Sequence, residues 1–330
     1  MKEAIFYTNE KNVAKCRLCN HFCSVSPNKR GICNVRANIN NKLYSLVYNK
    51  IIAKNIDPVE KKPLYHFLPC SYTYSISTVG CNFKCLNCQN YEISQCKDII
   101  GYEISPETII NEVIENHLPS ISFTYTEPTV YYETARDIGI LAKEQGIKNI
   151  FVSNGYMSKE VIIDMKKWVD AINVDLKSFN ENFYKKICKA SLKPVLDNII
   201  SLKENGIWVE ITTLVIPGYN DSEDELKKIA KFIKSVDSYI PWHVSAFYPT
   251  YLLTDILPTS PDTIKNARLI GLAEGLKYVY TGNIRDSVGC NTYCPNCNSL
   301  LIERKGYSVK LINLINGKCR DCNRDVEGIF

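Results

Sequence analysis

Cys81-Asn82-Phe83-Lys84-Cys85-Leu86-Asn87-Cys88 sets three thiols at C-x3-C-x2-C spacing, directly after the strand-like run Tyr74-Ser75-Ile76-Ser77-Thr78-Val79-Gly80. A structural zinc site or a closed iron–sulfur site takes four protein ligands. Three thiolates in one short loop can instead hold three irons of a [4Fe–4S] cube and leave the fourth open to a substrate or cofactor. The plainer alternative is three cysteines of a zinc loop. A second group, Cys294-Pro295-Asn296-Cys297 and Cys319-Arg320-Asp321-Cys322, has 21 residues between its two pairs. That is the pattern of a zinc ribbon, whose two knuckles feed four thiolates to one tetrahedral ion and whose folding is coupled to that ion. Cys290 forms a second C-x3-C-x2-C with Cys294 and Cys297. The downstream pair closes a four-ligand site, so Cys290 reads as a bystander. The third group is Cys16-x2-Cys19-x3-Cys23-x9-Cys33, with Pro27 and Gly31 allowing a turn. Its spacing is not the bacterial ferredoxin run. Zinc is the preferred occupant and an auxiliary [4Fe–4S] cluster the alternative. His21 either replaces one thiolate or is a surface residue.

The elements that must carry these groups follow from composition and periodicity. The chain has 330 residues, 45% of them apolar, enough for one large domain with small appendages. It contains no run of about 18 apolar residues, and Met1-Lys2-Glu3-Ala4-Ile5 lacks the apolar region of a signal peptide. A cytoplasmic, non-membrane protein is expected, and its fifteen cysteines then argue for metal ligation rather than disulfides. The net charge of +5 is spread along helix-like segments, which speaks against nucleic-acid binding.

Three zones are expected: a cysteine-bearing region at 1–70, an alternating zone at 71–285 and a double C-x2-C module at 286–330. In the middle zone strand-like runs end at Gly80, Pro128, Gly155, Lys177, Pro217, Pro249 and Asn283. Amphipathic segments lie between them. Ser105-Pro106-Glu107 and Ser260-Pro261-Asp262 read as helix starts, each an N-cap with proline in the first turn. Ser222-Glu223-Asp224-Glu225 is a capping box ahead of Leu226, Ile229, Ala230, Phe232 and Ile233 at helical spacing. Strand–helix alternation implies a parallel sheet. Seven strands with polar motifs at their C-terminal ends fit a partial (β/α)6-type TIM barrel, an α/β fold, flanked by small cysteine-rich metal-binding modules. In barrels the active site sits at those ends.

The cluster spacing and the ordered motifs after it resemble the radical S-adenosylmethionine (SAM) superfamily. The resemblance spans essentially the whole chain. In that family the open iron chelates SAM, and the reduced cluster cleaves a C–S bond to release a 5′-deoxyadenosyl radical. The resemblance implies that Glu127, in Tyr125-Thr126-Glu127-Pro128, accepts hydrogen bonds from SAM's ammonium group, although two glycines of the family motif are missing. It implies ribose or carboxylate contacts for Ser153 and Asn154 and for Asp175-Leu176-Lys177, and a contact with SAM for His243. It sets Leu214, in Leu214-Val215-Ile216-Pro217-Gly218, beside the adenine. Asn87 replaces an aromatic residue found before the last cysteine, and Gln89 or nearby backbone stands in for that contact. Among branches, the chain is most similar to the radical SAM component of the AmmeMemoRadiSam system, related to pyruvate formate-lyase activating enzymes. That branch joins N-terminal cysteines, a Tyr-x-Glu-Pro motif, a Tyr-Val-Tyr-x-Gly-Asn strand (278–283) and a C-terminal cysteine ribbon.

The resemblance implies an oxidoreductase that abstracts hydrogen from a substrate, with a glycyl residue of a partner protein as one target. Another peptide, RNA or a small molecule is the alternative. Its cofactors would be a [4Fe–4S] cluster, SAM and Zn2+. Its partners would be an external electron donor of flavodoxin or ferredoxin type, and a protein substrate or members of the AmmeMemoRadiSam system. A different class is a zinc-dependent protein-binding module in which every cysteine is structural. The catalytic residues proper are not named by the sequence.

Overall fold

The computed structural model describes all 330 residues. Its central sheet has eight strands. The edge strand β1 (Ala53–Pro58) runs antiparallel to β2 (Tyr72–Ser77). β3 (Ser120–Phe123), β4 (Lys148–Ser153), β5 (Ala171–Asp175), β6 (Trp208–Val215), β7 (Trp242–Ala246) and β8 (Val279–Gly282) follow in chain order, each parallel to its neighbour. Between β2 and β8 lie six helices of seven residues or more: α1 (Pro106–Glu115), α2 (Tyr132–Glu144), α3 (Lys159–Met165), α4 (Lys193–Glu204), α5 (Glu223–Val236) and α6 (Pro261–Ala273). Strands adjacent in sequence are adjacent in space, and β1 and β8 form the two edges, each paired on one side only and not with each other. The architecture is the expected partial (β/α)6 barrel, with one added antiparallel strand.

The seven parallel strands end one to five residues before the positions read from sequence. The helix starts form for the reasons given above. Ser105, Ser222 and Ser260 accept hydrogen bonds from Thr108, Glu225 and Thr263 N–H groups at 3.2, 3.3 and 3.1 Å. Leu226, Ile229, Ala230 and Ile233 of α5 are buried, while Phe232 is only half-buried on the flank of that stripe. Burying each large aliphatic side chain contributes about 1.5–3 kcal/mol, so this stripe rather than propensity fixes the helix.

Residue 70 is not a boundary within the sheet, because β1 belongs to the barrel. The segment after it enters the barrel's amino-terminal end. Val59, Leu64 and Phe67 pack there with Ile150 and Ala171, and Asn173 Nδ2 donates to the Pro63 carbonyl at 2.7 Å. Residues 2–45 form two small antiparallel sheets against α2, and Lys50–Ile51 pairs separately with Tyr102–Glu103. The buried ion pair between Arg36 and Glu133 fastens them to that helix. The C-terminal module is a three-stranded antiparallel ribbon over its own core of Leu301, Ile302, Leu314 and Val326. It also closes the barrel from below. Arg304 Nη2 donates to the Tyr65 carbonyl at 2.8 Å, and Ile329 N to the His66 carbonyl at 2.8 Å. No helix is long and apolar enough to cross a membrane.

Candidate functional site

The cysteine loop leaves the carboxyl end of β2 and is held in place by backbone. Lys84 N donates to the Cys188 carbonyl at 3.0 Å and Leu86 N to the Ile187 carbonyl at 3.1 Å. Phe83 anchors it from beneath, buried against Tyr156 and Tyr184. Cys81, Cys85 and Cys88 are each half-buried, and no three of their sulfurs lie within 4.8 Å of one another. That spread does not suit a single ion. The all-thiolate donor set and the Phe83 N–H aimed at Cys81 Sγ from 3.4 Å suit an iron–sulfur cluster, whose sulfurs accept such bonds.

The electrostatics of the loop are uneven. Burial pushes the Cys81 thiol well above its ordinary value, and the nearby Glu127 charge adds to this. A thiol so placed deprotonates when a metal supplies the counter-charge. A hydrogen bond from the Cys188 thiol pulls Cys85 the other way, below the usual thiol range, against burial and with help from the Lys177 ammonium. Burial works against the charge on Lys177. Asp175, at 2.8 Å, outweighs it together with Cys85 and Cys188.

Glu127 is buried and caps the short turn Pro128–Tyr131. Its Oε1 accepts from Thr129 N at 3.0 Å, Thr129 Oγ1 at 2.5 Å and Ser153 Oγ at 2.8 Å. Its Oε2 accepts only from Asn154 N, at 2.8 Å, and keeps room for a further donor. Burial raises the carboxyl above its ordinary value and these bonds offset part of the rise. Asn154 Nδ2 continues the network to Asn82 Oδ1 at 2.7 Å, inside the cysteine loop. Tyr125 adopts φ +61°, the backbone region that the absent glycine of the motif would favour. Such a conformation costs a non-glycine residue roughly 1–2 kcal/mol. It is held by the Tyr125 phenol donating to Asp57, by Asn55 Nδ2 at 3.1 Å and by Lys62 over the ring at 4.6 Å. Thr126 Oγ1 donates to the Thr78 carbonyl at 2.9 Å, tying the motif to the start of the cysteine loop.

The structure therefore gathers Cys81, Cys85, Cys88, Tyr125, Thr126, Glu127, Ser153, Asn154, Asp175 and Lys177 at the carboxyl ends of β2 to β5. Asn87 is buried nearby with Oδ1 unpartnered, and Leu214 is half-buried at the end of β6. Gln89 is exposed and makes no side-chain hydrogen bond. The Leu176 side chain is fully buried in the main core, so only its backbone is available to a ligand. His243 is the second residue of β7, three positions before the strand's last residue, Ala246, and so about 10 Å below that end at strand rise. There it pairs with Glu210 at 2.7 Å and lies edge-on to Tyr65. Burial opposes the Glu210 charge, but the bond and charge from His243 pull its carboxyl below the usual range. His243 thus serves the closed lower end of the barrel, not its mouth.

Three partners in these networks were not singled out by motif: Asn82, Cys188 and Glu210. The signals existed in a polar residue inside the cysteine loop, an unassigned cysteine and a carboxylate within the apolar run of β6.

The two remaining cysteine groups differ in geometry. Cys294, Cys297, Cys319 and Cys322 bring their sulfurs within 4.8 Å of one another, with Cys294–Cys322 and Cys297–Cys319 at 3.6 Å. A tetrahedral ion with Zn–S near 2.3 Å sets sulfurs about 3.8 Å apart, so the donor set fits one such ion. Cys290 stands outside it, its thiol donating to the Asp286 and Arg304 carbonyls at 2.9 and 3.1 Å. Cys16, Cys19, Cys23 and Cys33 line one cavity with Arg36 and Asn82, and no three of their sulfurs converge within 4.8 Å. His21 Nε2 lies 2.9 Å from the Asn82 carbonyl, which occupies that ring nitrogen.

Comparison with known proteins agrees with this geometry. Residues 75–233 match the family model of the radical SAM superfamily. An uncharacterized protein of Methanocaldococcus jannaschii is 45% identical over 333 aligned positions, covering 99% of either chain. The pyruvate formate-lyase 1-activating enzyme of Escherichia coli K12 is 22% identical over 61% of this chain and 89% of its own. A radical SAM methyltransferase of Sphaerobacter thermophilus shares the fold, with a TM-score of 0.51 at 17% identity over 68% of this chain and 70% of its own.

Proposed function

This chain belongs to the radical SAM superfamily, and on that premise we propose an enzyme that removes a hydrogen atom from a substrate, with a glycyl residue of a partner protein as the favoured target. Cys81, Cys85 and Cys88 would hold the [4Fe–4S] cluster. When bound, the cluster and SAM supply one-electron C–S cleavage and a hydrogen-abstracting 5′-deoxyadenosyl radical. The protein's part is to bind, orient and shield. The open acceptor of Glu127 Oε2 suits an ammonium, the Asp175–Lys177 pair suits hydroxyl and carboxylate groups, and the Asn154–Asn82 bond keeps the binding residues in register with the loop. Electrons would come from a flavodoxin- or ferredoxin-type donor. The C-terminal four thiolates would hold Zn2+. A reducing cytoplasm suits fifteen cysteines with no disulfide among them.

The single observation that carries this reading is the chain of contacts from Glu127 through Asn154 to Asn82, which joins the strand-end motifs to an open three-thiol loop. The combination of N-terminal cysteines, Tyr-x-Glu-Pro motif and ribbon supports the AmmeMemoRadiSam branch, and partners from that system. The test is anaerobic incubation with SAM, a reductant and candidate partner proteins deuterated at glycine, following deuterium into 5′-deoxyadenosine. Deuterium transfer identifies the target. A colourless protein that never yields deoxyadenosine overturns the proposal.

A further inference from the structure

The N-terminal cysteines meet through local pairing and one long return. Val13–Cys16 pairs antiparallel with Ser24–Val25, and Cys16 N donates to the Cys23 carbonyl at 2.9 Å. Cys33 comes in from the loop ahead of Arg36. The result is a cavity walled by Leu18, Val25 and Val130, with the four thiols around it. Cys16, Cys19 and Cys33 are buried and Cys23 half-buried.

Two features distinguish this site from a zinc site. The first is separation. A tetrahedral ion draws four sulfurs to about 3.8 Å of one another, as the ribbon sulfurs stand at 3.6 Å. In the N-terminal set no three sulfurs come within 4.8 Å. A cubic cluster reverses the requirement, since its four thiolates sit outside the cube and must be held apart around an enclosed space. The second feature is unpartnered donors. Arg36 is 1% exposed and its Nε and Nη1 have no hydrogen-bond partner. Asn82 is equally buried, and its Nδ2 also has none. Both residues line the cavity. A buried donor left without a partner is destabilising, and a single ion wrapped in four thiolates leaves few acceptors for three such groups. Bridging sulfides supply them, and hydrogen bonds to cluster sulfurs are a known determinant of potential.

We propose that Cys16, Cys19, Cys23 and Cys33 hold a second, fully cysteine-ligated [4Fe–4S] cluster, with Arg36 and Asn82 donating to its sulfurs. Taking up a preformed cluster core exchanges four thiol protons for four iron–thiolate bonds, with no change in oxidation state. Asn82 lies between Cys81 and Phe83, and its Oδ1 is taken by Asn154. The second cluster and the SAM-cluster loop would therefore share one side chain. This takes the cluster alternative over the zinc that spacing favoured, because spacing fixes the ligand count but not how far apart the ligands are held.

The experiment uses full-length protein reconstituted anaerobically with iron and sulfide, and reads iron, acid-labile sulfide and zinc per chain together with the electron paramagnetic resonance of the reduced state. The parent should carry about eight irons and the C81A/C85A/C88A variant about four, each with one zinc. Adding C19A and C33A to that variant should remove the remaining iron and sulfide and leave the zinc. If the triple variant does not fold, native mass spectrometry of the parent decides the matter by distinguishing two cubes and one zinc from one cube and two zincs. Two zincs, or only about two irons at the N-terminal site, overturns the proposal.

Discussion

Two groups of four cysteines flank the barrel, and they are built in opposite ways. The ribbon's ligands come from tight knuckles, with Cys297 exposed and the sulfurs already at single-ion spacing. The N-terminal ligands sit in the main hydrophobic core, and their cavity borrows walls from the barrel through Asn82 and Val130. Short local turns can close on an ion as it binds. A site walled by a domain core holds its ligands where the packing leaves them, which suits a larger group. Equal ligand counts therefore do not mean equal occupants.

The largest effect expected from breaking this contrast comes from Cys297→Ser. Structural zinc contributes about 10–16 kcal/mol of binding free energy that is also local folding free energy, so the ribbon should unfold rather than weaken. Loss of one zinc, new protease cleavage beyond residue 286 and unchanged iron are the expected readings. Loosening of the barrel should follow, since Arg304 and Ile329 close its lower end. If iron fell and zinc stayed, the occupants of the two four-cysteine sites would have to be exchanged.

Glu133→Gln addresses the other side. It leaves Arg36 charged and unpaired in the core, where removal of one partner of a buried pair costs about 3–5 kcal/mol. The urea midpoint should fall while the ribbon keeps its zinc. An unchanged midpoint would mean that Arg36 finds a counter-charge elsewhere, the N-terminal thiolates being the nearest.

The sequence displayed the frame of this molecule more plainly than its depths. Strand ends and caps are local signals, so all seven parallel strands and the caps at Ser105, Ser222 and Ser260 could be read in advance. Spacing gave the three cysteine groups, and the resemblance supplied the roles of the strand-end motifs. The depth of His243 could not be read, because its partners come from elsewhere in the chain, Glu210 from β6 and Tyr65 from the segment after β1. Nor could Tyr125 at φ +61°, a conformation imposed by Asp57 and Lys62 from the added edge strand and the segment behind it. The plug at 59–68 carries no motif because its partners are scattered over β4, β5, β6 and the last four residues.

That plug also provides a pH test of how the ribbon is held. His66 is enclosed between the Glu327 carbonyl and the Tyr280 hydroxyl, and burial pushes its pKa down to about 4. Above about pH 6.5 the residue is neutral whether folded or unfolded, and costs nothing. Below that value the unfolded chain takes up the proton and the folded chain does not, so stability falls as pH drops from about 6.5 towards 4, by about 3 kcal/mol in all. Urea midpoints at pH 7.5 and 5 should separate for the parent and draw together for His66→Gln. An equal slope in both proteins would place the acid sensitivity in the ribbon thiolates alone.

The open set at the barrel mouth gives the smallest effect and the sharpest contrast with both closed ones. Its fourth position would be filled by a cofactor rather than a thiol, so a non-cysteine residue must share in holding that cofactor. Glu127 is placed to do so, with Oε2 accepting a single bond. Glu127→Gln removes the charge that would face an ammonium group, and SAM binding should weaken by about 1.5–3 kcal/mol, the range for hydrogen bonds to charged groups. The substitution also sets an amide against Asn154 N–H or Ser153 Oγ, so a modest loss of stability should accompany it. Iron and zinc contents should not change, because Glu127 hydrogen-bonds to none of the eleven grouped cysteines. Isothermal titration with SAM on the reconstituted protein, beside metal analysis of the same sample, gives the answer. Undiminished affinity would move the ammonium site away from Glu127 and leave the Asp175–Lys177 pair to orient SAM, whereas lost iron would show that the carboxylate steadies the cysteine loop through Asn154 and Asn82.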